Sequence, residues 1–122
     1  MTTASQRKGN NFERELSAYL NDTIGLRASR APLSGGGNVG MSGGADLLGT
    51  PGLFVEAKRV EKLSFPEAMR QAKGNVVKTN APEVPIVINR RNRQTMGESY
   101  VVLELDGFLQ FYHAWLTQQG HI

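Results

Sequence analysis

The sequence has 122 residues, the length of one domain, and can bury a hydrophobic core without disulfides or structural metals. It contains no cysteine and only two histidines, which excludes disulfide scaffolds, iron–sulfur clusters, thiol nucleophiles and zinc sites built on these residues. Any metal must therefore be a hard cation held by carboxylates. Fourteen basic against eleven acidic residues give a net charge of +3, which permits a nucleic-acid partner without requiring one.

The chain carries no predicted membrane segment. No apolar run approaches the ~20 residues that span a bilayer. The first fifteen residues are polar and lack the apolar core of a signal peptide. We therefore expect a single domain over 1–122 that works in the cytoplasm.

The first part of the chain predicts a helix followed by a loop. Phe12, Leu16 and Leu20 have the spacing of an amphipathic helix, over about 5–21. A short extended segment over about 26–31 follows it. Residues 34–44 are so rich in glycine that we expect a mobile loop rather than a regular element.

The rest of the chain alternates strands and helices. The predicted elements are a hairpin over 45–60, a helix over 64–78, strands over 84–89 and 100–105, and an aromatic helix capped by Asp106. Pro51 and Gly52 mark the hairpin turn, and Ser64 and Glu67 form a capping box. The order αβββαββα predicts an α/β fold with one mixed sheet flanked by helices.

The hairpin carries an unusual set of charges. Alternate side chains on a strand share a face, so Glu56 and Lys58 project to the same side. If the loop comprises the three residues 50–52, Asp46 lies opposite Glu56 and joins them. A two-residue loop would place Asp46 opposite Ala57, on the other face. We expect the register that unites the charges.

This arrangement has two interpretations. Asp46 and Glu56 could hold Mg²⁺, with Mn²⁺ as a substitute, and the ion could polarise a phosphodiester and activate water while Lys58 stabilises charge. Alternatively, Lys58 forms a salt bridge with its acidic neighbours on an exposed face. Glu13 supports the first interpretation, because it borders the apolar stripe of the first helix and can reach over the sheet edge.

The segments KGNNFEREL, RAPLSGGG, ADLL and FVEAK, with a helix after them, resemble the archaeal-type Holliday-junction resolvases of the PD-(D/E)xK nuclease superfamily. The resemblance covers about residues 7–75 and implies a restriction-endonuclease-like core. It implies that Glu13 is catalytic and a further metal ligand, that Asp46 and Glu56 are catalytic metal ligands, and that Lys58 is the catalytic lysine.

The same resemblance implies contacts with the substrate and shows two departures. Arg30 and Ser34 correspond to residues near the scissile phosphate, and Gln71 to a glutamine near the site. Ala45 stands where the family has a proline that is not a ligand. The half after residue 80 looks more like small phage-encoded nucleases, so a phage origin is expected.

Other basic residues are candidate DNA contacts. Arg7 and Lys8 lie on the first helix beside Glu13, and Arg90, Arg91 and Arg93 lie in the turn between two strands. Such groups bind backbone phosphates without reading sequence. The turn could equally be a solvated connection.

The resemblance implies a Mg²⁺-dependent endonuclease that resolves four-way DNA junctions and leaves 5′-phosphate and 3′-hydroxyl ends. A two-fold homodimer would match the two scissile strands, with 100–105 and 108–116 as candidate contacts. Two alternatives stay open. One is a general phage nuclease without junction preference, and the other is a non-catalytic DNA-binding module of the same fold.

Overall fold

The computed structural model describes residues 3–32 and 44–122. These residues form a mixed α/β fold with small sheets and helices, as expected for a restriction-endonuclease-like core. Its elements are α1 (Ala4–Ile24), β1 (Ser29–Arg30), β2 (Leu47–Leu48), β3 (Leu53–Lys58), α2 (Phe65–Thr79), β4 (Val84–Asn89), a 3₁₀ turn (Met96–Glu98), β5 (Tyr100–Val102) and α3 (Leu105–Gln118). The glycine-rich segment, apart from Gly44, lies outside the described residues, as does Ser34.

The described strands form two sheets rather than the single sheet that the sequence predicts. β3 pairs in parallel with β4, which pairs antiparallel with β5, and β1 and β2 form a separate antiparallel pair. Asp46 connects the sheets, because its N–H donates to Val55 O and its carbonyl accepts from Ala31 N, both at 2.9 Å. The mixed parallel and antiparallel pairing is as predicted, but the sheet is divided where the chain turns at Asp46.

The core lies on both faces of the three-stranded sheet. Phe12 and Leu16 of α1 pack on one face in a cluster that includes Val55. Ala68 and Met69 of α2 pack on the other face against Val87. Five of the six residues of β4 are buried, as is typical of a strand covered on both sides.

The predicted hairpin is wrong, because β2 and β3 lie in different sheets, and the turn between them also differs from the predicted one. Leu53 N–H donates to Thr50 O at 3.0 Å, so Pro51 and Gly52 are the two central residues, and Gly52 takes the positive φ of 84° that a type II turn requires. The predicted three-residue loop is therefore wrong. Proline at the first central position and glycine at the second favour the shorter turn.

The carboxy-terminal helix also differs from the prediction. β5 ends at Val102, and α3 begins after Glu104, whose side chain makes no capping hydrogen bond. Asp106 is thus a residue of the first turn, where its charge interacts with the helix dipole, and it is not the cap. None of the helices in ranges 3–32 and 44–122 is long and apolar enough to cross a membrane.

Gly49 provides a test of the path of the chain between β2 and β3. Its φ is 77°, and a Cβ atom there would lie 2.2 Å from Arg27 O. We expect Gly49→Ala to lower the free energy of unfolding by at least about 2 kcal/mol, because backbone strain and a clash with main chain add together. Urea unfolding measures this change.

Gly74 is the matched control. It lies within α2, and a Cβ atom there meets nothing within 4 Å. Gly74→Ala should therefore raise stability by up to about 1 kcal/mol through helix propensity. Equal stability of the two alanine variants would contradict the described path of the chain at Gly49.

Candidate functional site

Five parts of the chain bring the predicted catalytic residues, and Arg30 and Gln71 as predicted DNA contacts, to one edge of the fold. The side chains come from α1, β1, the segment before β2, β3 and α2, and they are Glu13, Arg30, Asp46, Glu56, Lys58 and Gln71. Their positions depend on main-chain contacts that the hydrophobic pattern alone does not specify.

Glu13 is held by an ion pair. Arg30 Nε donates to Glu13 Oε2 at 2.9 Å, and the two side chains are 19% and 12% exposed. Asn21 supports this pair, because its amide oxygen accepts from Ala28 N at 2.7 Å and its amide nitrogen donates to Ala28 O at 2.9 Å. These bonds fix the chain that enters β1 against α1. The sequence alone does not indicate this role of Asn21, because a polar residue near a helix end has many possible roles.

Asp46 is attached to the edge of β3. Its Oδ2 accepts from the backbone N–H of Ala57 at 2.7 Å. The shorter hairpin turn therefore does not carry its carboxylate away from Glu56. β2 and β3 do not pair with each other, so no hairpin register places Asp46 opposite Glu56. The bonds from Asp46 to Val55 O and from Ala57 N–H hold its carboxylate near Glu56 instead.

Glu56 and Lys58 form a partly buried pair. Lys58 Nζ lies 3.5 Å from Glu56 Oε1 and donates to Gln71 Oε1 at 3.5 Å. Glu56 is 7% exposed, so the alternative of a salt bridge on an exposed face does not fit its position. Its Oε2 is buried and has no hydrogen-bond partner among the described residues. An unsatisfied buried carboxylate oxygen is costly unless a ligand completes it.

Burial raises the pKa of all three carboxylates, and neighbouring acidic charge adds to the shift for Glu13 and Glu56. Burial raises the pKa of Glu13 to about 7, with a contribution from the charge of Asp46 and opposition from Arg30. Burial likewise raises the pKa of Glu56 to about 7, with Asp46 adding to the shift and Lys58 opposing it. Burial also raises the pKa of Asp46, against the Ala57 N–H bond. Clustered acids with raised pKa values are typical of functional sites.

Asp46 and Glu56 fit a hard divalent cation. Both supply carboxylate oxygens, their charges interact, and Glu56 Oε2 lacks a partner among the described residues. Within 3–32 and 44–122 no group of three or more acidic, histidine or cysteine side chains is arranged to hold a metal. Glu13 as a third ligand therefore stays a prediction.

The predicted DNA contacts on α1 and in the turn before β5 lie outside the group of carboxylates. Arg7 and Lys8 are exposed on the first turns of α1. In the predicted basic turn, Arg91 lies over the ring of Tyr100 at 5.4 Å, and Arg93 is exposed with a φ of 68°. The turn is organised rather than simply solvated, since Arg91 N–H donates to Gln94 Oε1 at 2.7 Å.

The carboxylate cluster predicts a pH dependence of stability without metal. The folded protein binds more protons than the unfolded chain between pH 4.5 and about 7, because the pKa values of Glu13 and Glu56 rise across that range. The free energy of unfolding contributed by these groups therefore falls as pH rises through the window. We expect thermal unfolding in EDTA to occur at a lower temperature near pH 8 than near pH 5.5.

Glu56→Gln isolates this effect. The variant lacks one of the two groups, so its melting temperature should change less over the same window than that of the natural chain. Mg²⁺ should stabilise the natural chain more near pH 8, where the carboxylates are deprotonated. Identical pH profiles for the two proteins would contradict the assignment of Glu56.

The comparisons with known proteins agree with this geometry at the family level. Neither a curated protein nor a solved structure gives a significant match to the chain. The model of a family described as "Phage putative PDDEXK endonuclease" matches residues 4–119. This match confirms the predicted superfamily and the predicted relation to phage proteins, and it does not extend to junction resolution. The chain therefore belongs to the phage PDDEXK endonuclease family, a family of nucleases.

Proposed function

We propose that this protein is a Mg²⁺-dependent DNA endonuclease that cuts four-way junctions as a two-fold homodimer. The observation that carries the nuclease part is the partly buried group Asp46, Glu56 and Lys58, with one carboxylate oxygen of Glu56 unpartnered among the described residues. Membership of an endonuclease family supports the same activity. The junction and the homodimer rest on the resemblance and on the surface of α3.

Asp46 and Glu56 would hold the cation. When bound, Mg²⁺ or Mn²⁺ supplies Lewis-acid activation of the phosphodiester and of a water nucleophile, giving 5′-phosphate and 3′-hydroxyl ends. Ala57 N–H orients the Asp46 carboxylate through its 2.7 Å bond. The protein thus presents its ligand oxygens in a fixed place, since both side chains are tied to β3.

Lys58 would stabilise the negative charge that develops on the phosphate. Its ammonium lies between Glu56 and Gln71, each at 3.5 Å, so the group is positioned before substrate arrives. Gln71 acts here as a positioning residue. Arg30, oriented by Glu13, is a second cation at the same edge that can contact a phosphate oxygen.

The nuclease proposal predicts that Glu56→Gln loses cleavage by at least about a hundredfold, because a metal ligand and its charge are removed. DNA binding in EDTA should stay equal or become tighter, since negative charge leaves a site for a polyanion. Glu67→Gln is the control, as Glu67 is an exposed acid at the start of α2 whose neutralisation should leave cleavage unchanged. Gel assays on a synthetic junction and on a linear duplex of the same sequence measure both quantities.

These substrates also separate the alternatives. Faster cleavage of the junction supports resolution, whereas equal rates would favour a general nuclease. Binding without cleavage in Mg²⁺ or Mn²⁺ would instead favour a non-catalytic DNA-binding module. Full activity of Glu56→Gln would overturn the site.

The homodimer is supported by an apolar surface at the end of the chain. α3 contains no buried residue. Eight large apolar side chains of β5 and α3 are 39–69% exposed. We define the carboxy-terminal apolar surface as Tyr100, Val101, Leu105, Phe108, Leu109, Phe111, Tyr112 and Trp115. Phe108, Tyr112 and Trp115 stack along one side of the helix, with ring centroids 5.7 and 6.2 Å apart.

The size of this surface matches a second copy of the chain. Large apolar side chains have roughly 200 Å² each, so eight of them at about half exposure offer roughly 800 Å². A standard stable interface buries about 800 Å² per partner. Two-fold pairing through this surface would supply one active site for each scissile strand of a junction.

Light scattering tests this pairing. We expect a dimer at micromolar concentration, and we expect Trp115→Glu to shift it to monomer because a charge is placed inside an apolar contact. Gln110→Glu, an exposed position on the same helix outside the defined surface, should stay dimeric. A monomeric natural chain that still cuts both junction strands symmetrically would count against the homodimer.

A further inference from the structure

A polar concavity of about 220 Å³ lies beside α1, away from the carboxylate cluster. We call it the basic notch, and its lining residues are Lys8, Asn11, Phe12, Glu15, Arg59 and Arg90. We infer that the basic notch binds a backbone phosphate of the DNA substrate other than the scissile one. This inference rests on the proposed function, because it names a second contact of the same substrate.

Two arginines of the basic notch are held in place before any ligand binds. Arg59 donates from Nη1 to Arg90 O at 3.2 Å and from Nη2 to Asn92 Oδ1 at 3.0 Å. Arg90 donates from Nε to Gln94 O at 2.8 Å. Their side chains are 15% and 25% exposed, so both guanidinium groups are partly desolvated and fixed. Fixed, partly buried guanidinium groups bind phosphate with little loss of conformational entropy.

The charge of the basic notch is not balanced. Lys8, Arg59 and Arg90 face it, whereas Glu15 is its one acidic lining residue. Glu15 lies 3.4 Å from Arg90 Nη1 and its side chain is 59% exposed, so the ion pair is loose and the carboxylate can turn to solvent. Lys8 makes no hydrogen bond or ion pair with the described part of the chain. An anion would relieve the repulsion among the three cations.

Arg59 has a second acidic neighbour, Glu61, which does not line the basic notch. Glu61 Oε2 lies 3.4 Å from Arg59 Nη1 and accepts from Asn92 N at 2.7 Å. Its charge is therefore shared with the backbone of the basic turn. Three cations still face two carboxylates, and one of these two, Glu15, is loosely held.

The position of the basic notch relative to the active site defines which phosphate it can reach. At ~100° per residue, Glu13 and Glu15 border opposite sides of the apolar stripe of α1, so the helix separates the two places. The phosphate bound in the basic notch is therefore not the scissile one.

The test measures binding of a synthetic four-way junction in EDTA, where no cleavage occurs, by fluorescence anisotropy at several salt concentrations. Lys8→Gln should weaken binding about 3- to 10-fold and reduce the salt slope by about 1, because one phosphate contact is lost. Glu15→Gln should tighten binding. Lys78→Gln is the control, since Lys78 is an exposed lysine in the last turn of α2, at the opposite end of the sheet.

A second arm locates the phosphate. Uncharged methylphosphonate linkages placed one at a time should weaken binding of the natural chain at one position other than the scissile phosphate. Lys8→Gln should be insensitive to the same linkage. Unchanged affinity of both Lys8→Gln and Glu15→Gln would overturn the inference, even if the protein cleaves junctions.

A third arm distinguishes the source of the phosphate. If inorganic phosphate raises the melting temperature of the natural chain and not of Lys8→Gln, while DNA affinity is the same for both, the ligand is a free phosphate and the DNA assignment is wrong. Weaker DNA binding by Lys8→Gln supports the inference, even if the natural chain cuts no DNA, an outcome that would overturn the proposed function alone.

Discussion

The candidate site depends on the way in which Asp46 is held between two sheets. Its N–H bonds to Val55 O, its carbonyl accepts from Ala31 N, and its carboxylate accepts from Ala57 N. Through these three hydrogen bonds, Asp46 joins the segments of β1, β2 and β3. The same bonds place an acidic group near Glu56. Burial raises the pKa of both groups, and the charge of Asp46 raises the pKa of Glu56 further. A bound cation would compensate the negative charge of such a group.

The rest of the fold supports this arrangement by covering β3 from both sides. α1 packs on one face and carries Glu13 at the border of its buried stripe, while α2 packs on the other face and carries Gln71 toward Lys58. Asn89 acts at the end of the strands, since its fully buried side chain bonds to both the N–H and the carbonyl of Val60. The chain after Lys58 is thereby fixed. Rigid support of this kind is what a preorganised site requires.

The two ends of the protein differ in how they relate to this core. The region of Arg59 and Arg90 is tied down by bonds from charged side chains to main-chain carbonyls, which gives a positively charged surface of defined shape. α3 has the opposite character, because its apolar side chains remain exposed and the helix buries none of them within the chain. One surface suits a polyanion and the other suits an apolar partner. These two surfaces are the ones on which the proposed DNA contact and the proposed homodimer rest.

The sequence by itself determined the element types, because helical spacing, capping residues and apolar strands are local signals. It also indicated the charged residues Asp46, Glu56 and Lys58, through its resemblance to a nuclease superfamily. Tertiary structure decided the rest. The chain at the Pro51–Gly52 turn leaves β2 and β3 in different sheets, yet Ala57 N–H donates to the Asp46 carboxylate and holds it near Glu56. Asn21 bonds to Ala28, seven residues away, and Arg59 bonds to Arg90, 31 residues away. No local sequence pattern encodes these pairs. Long-range hydrogen bonds form only once the core has placed their partners together, and this is why the sequence does not reveal them.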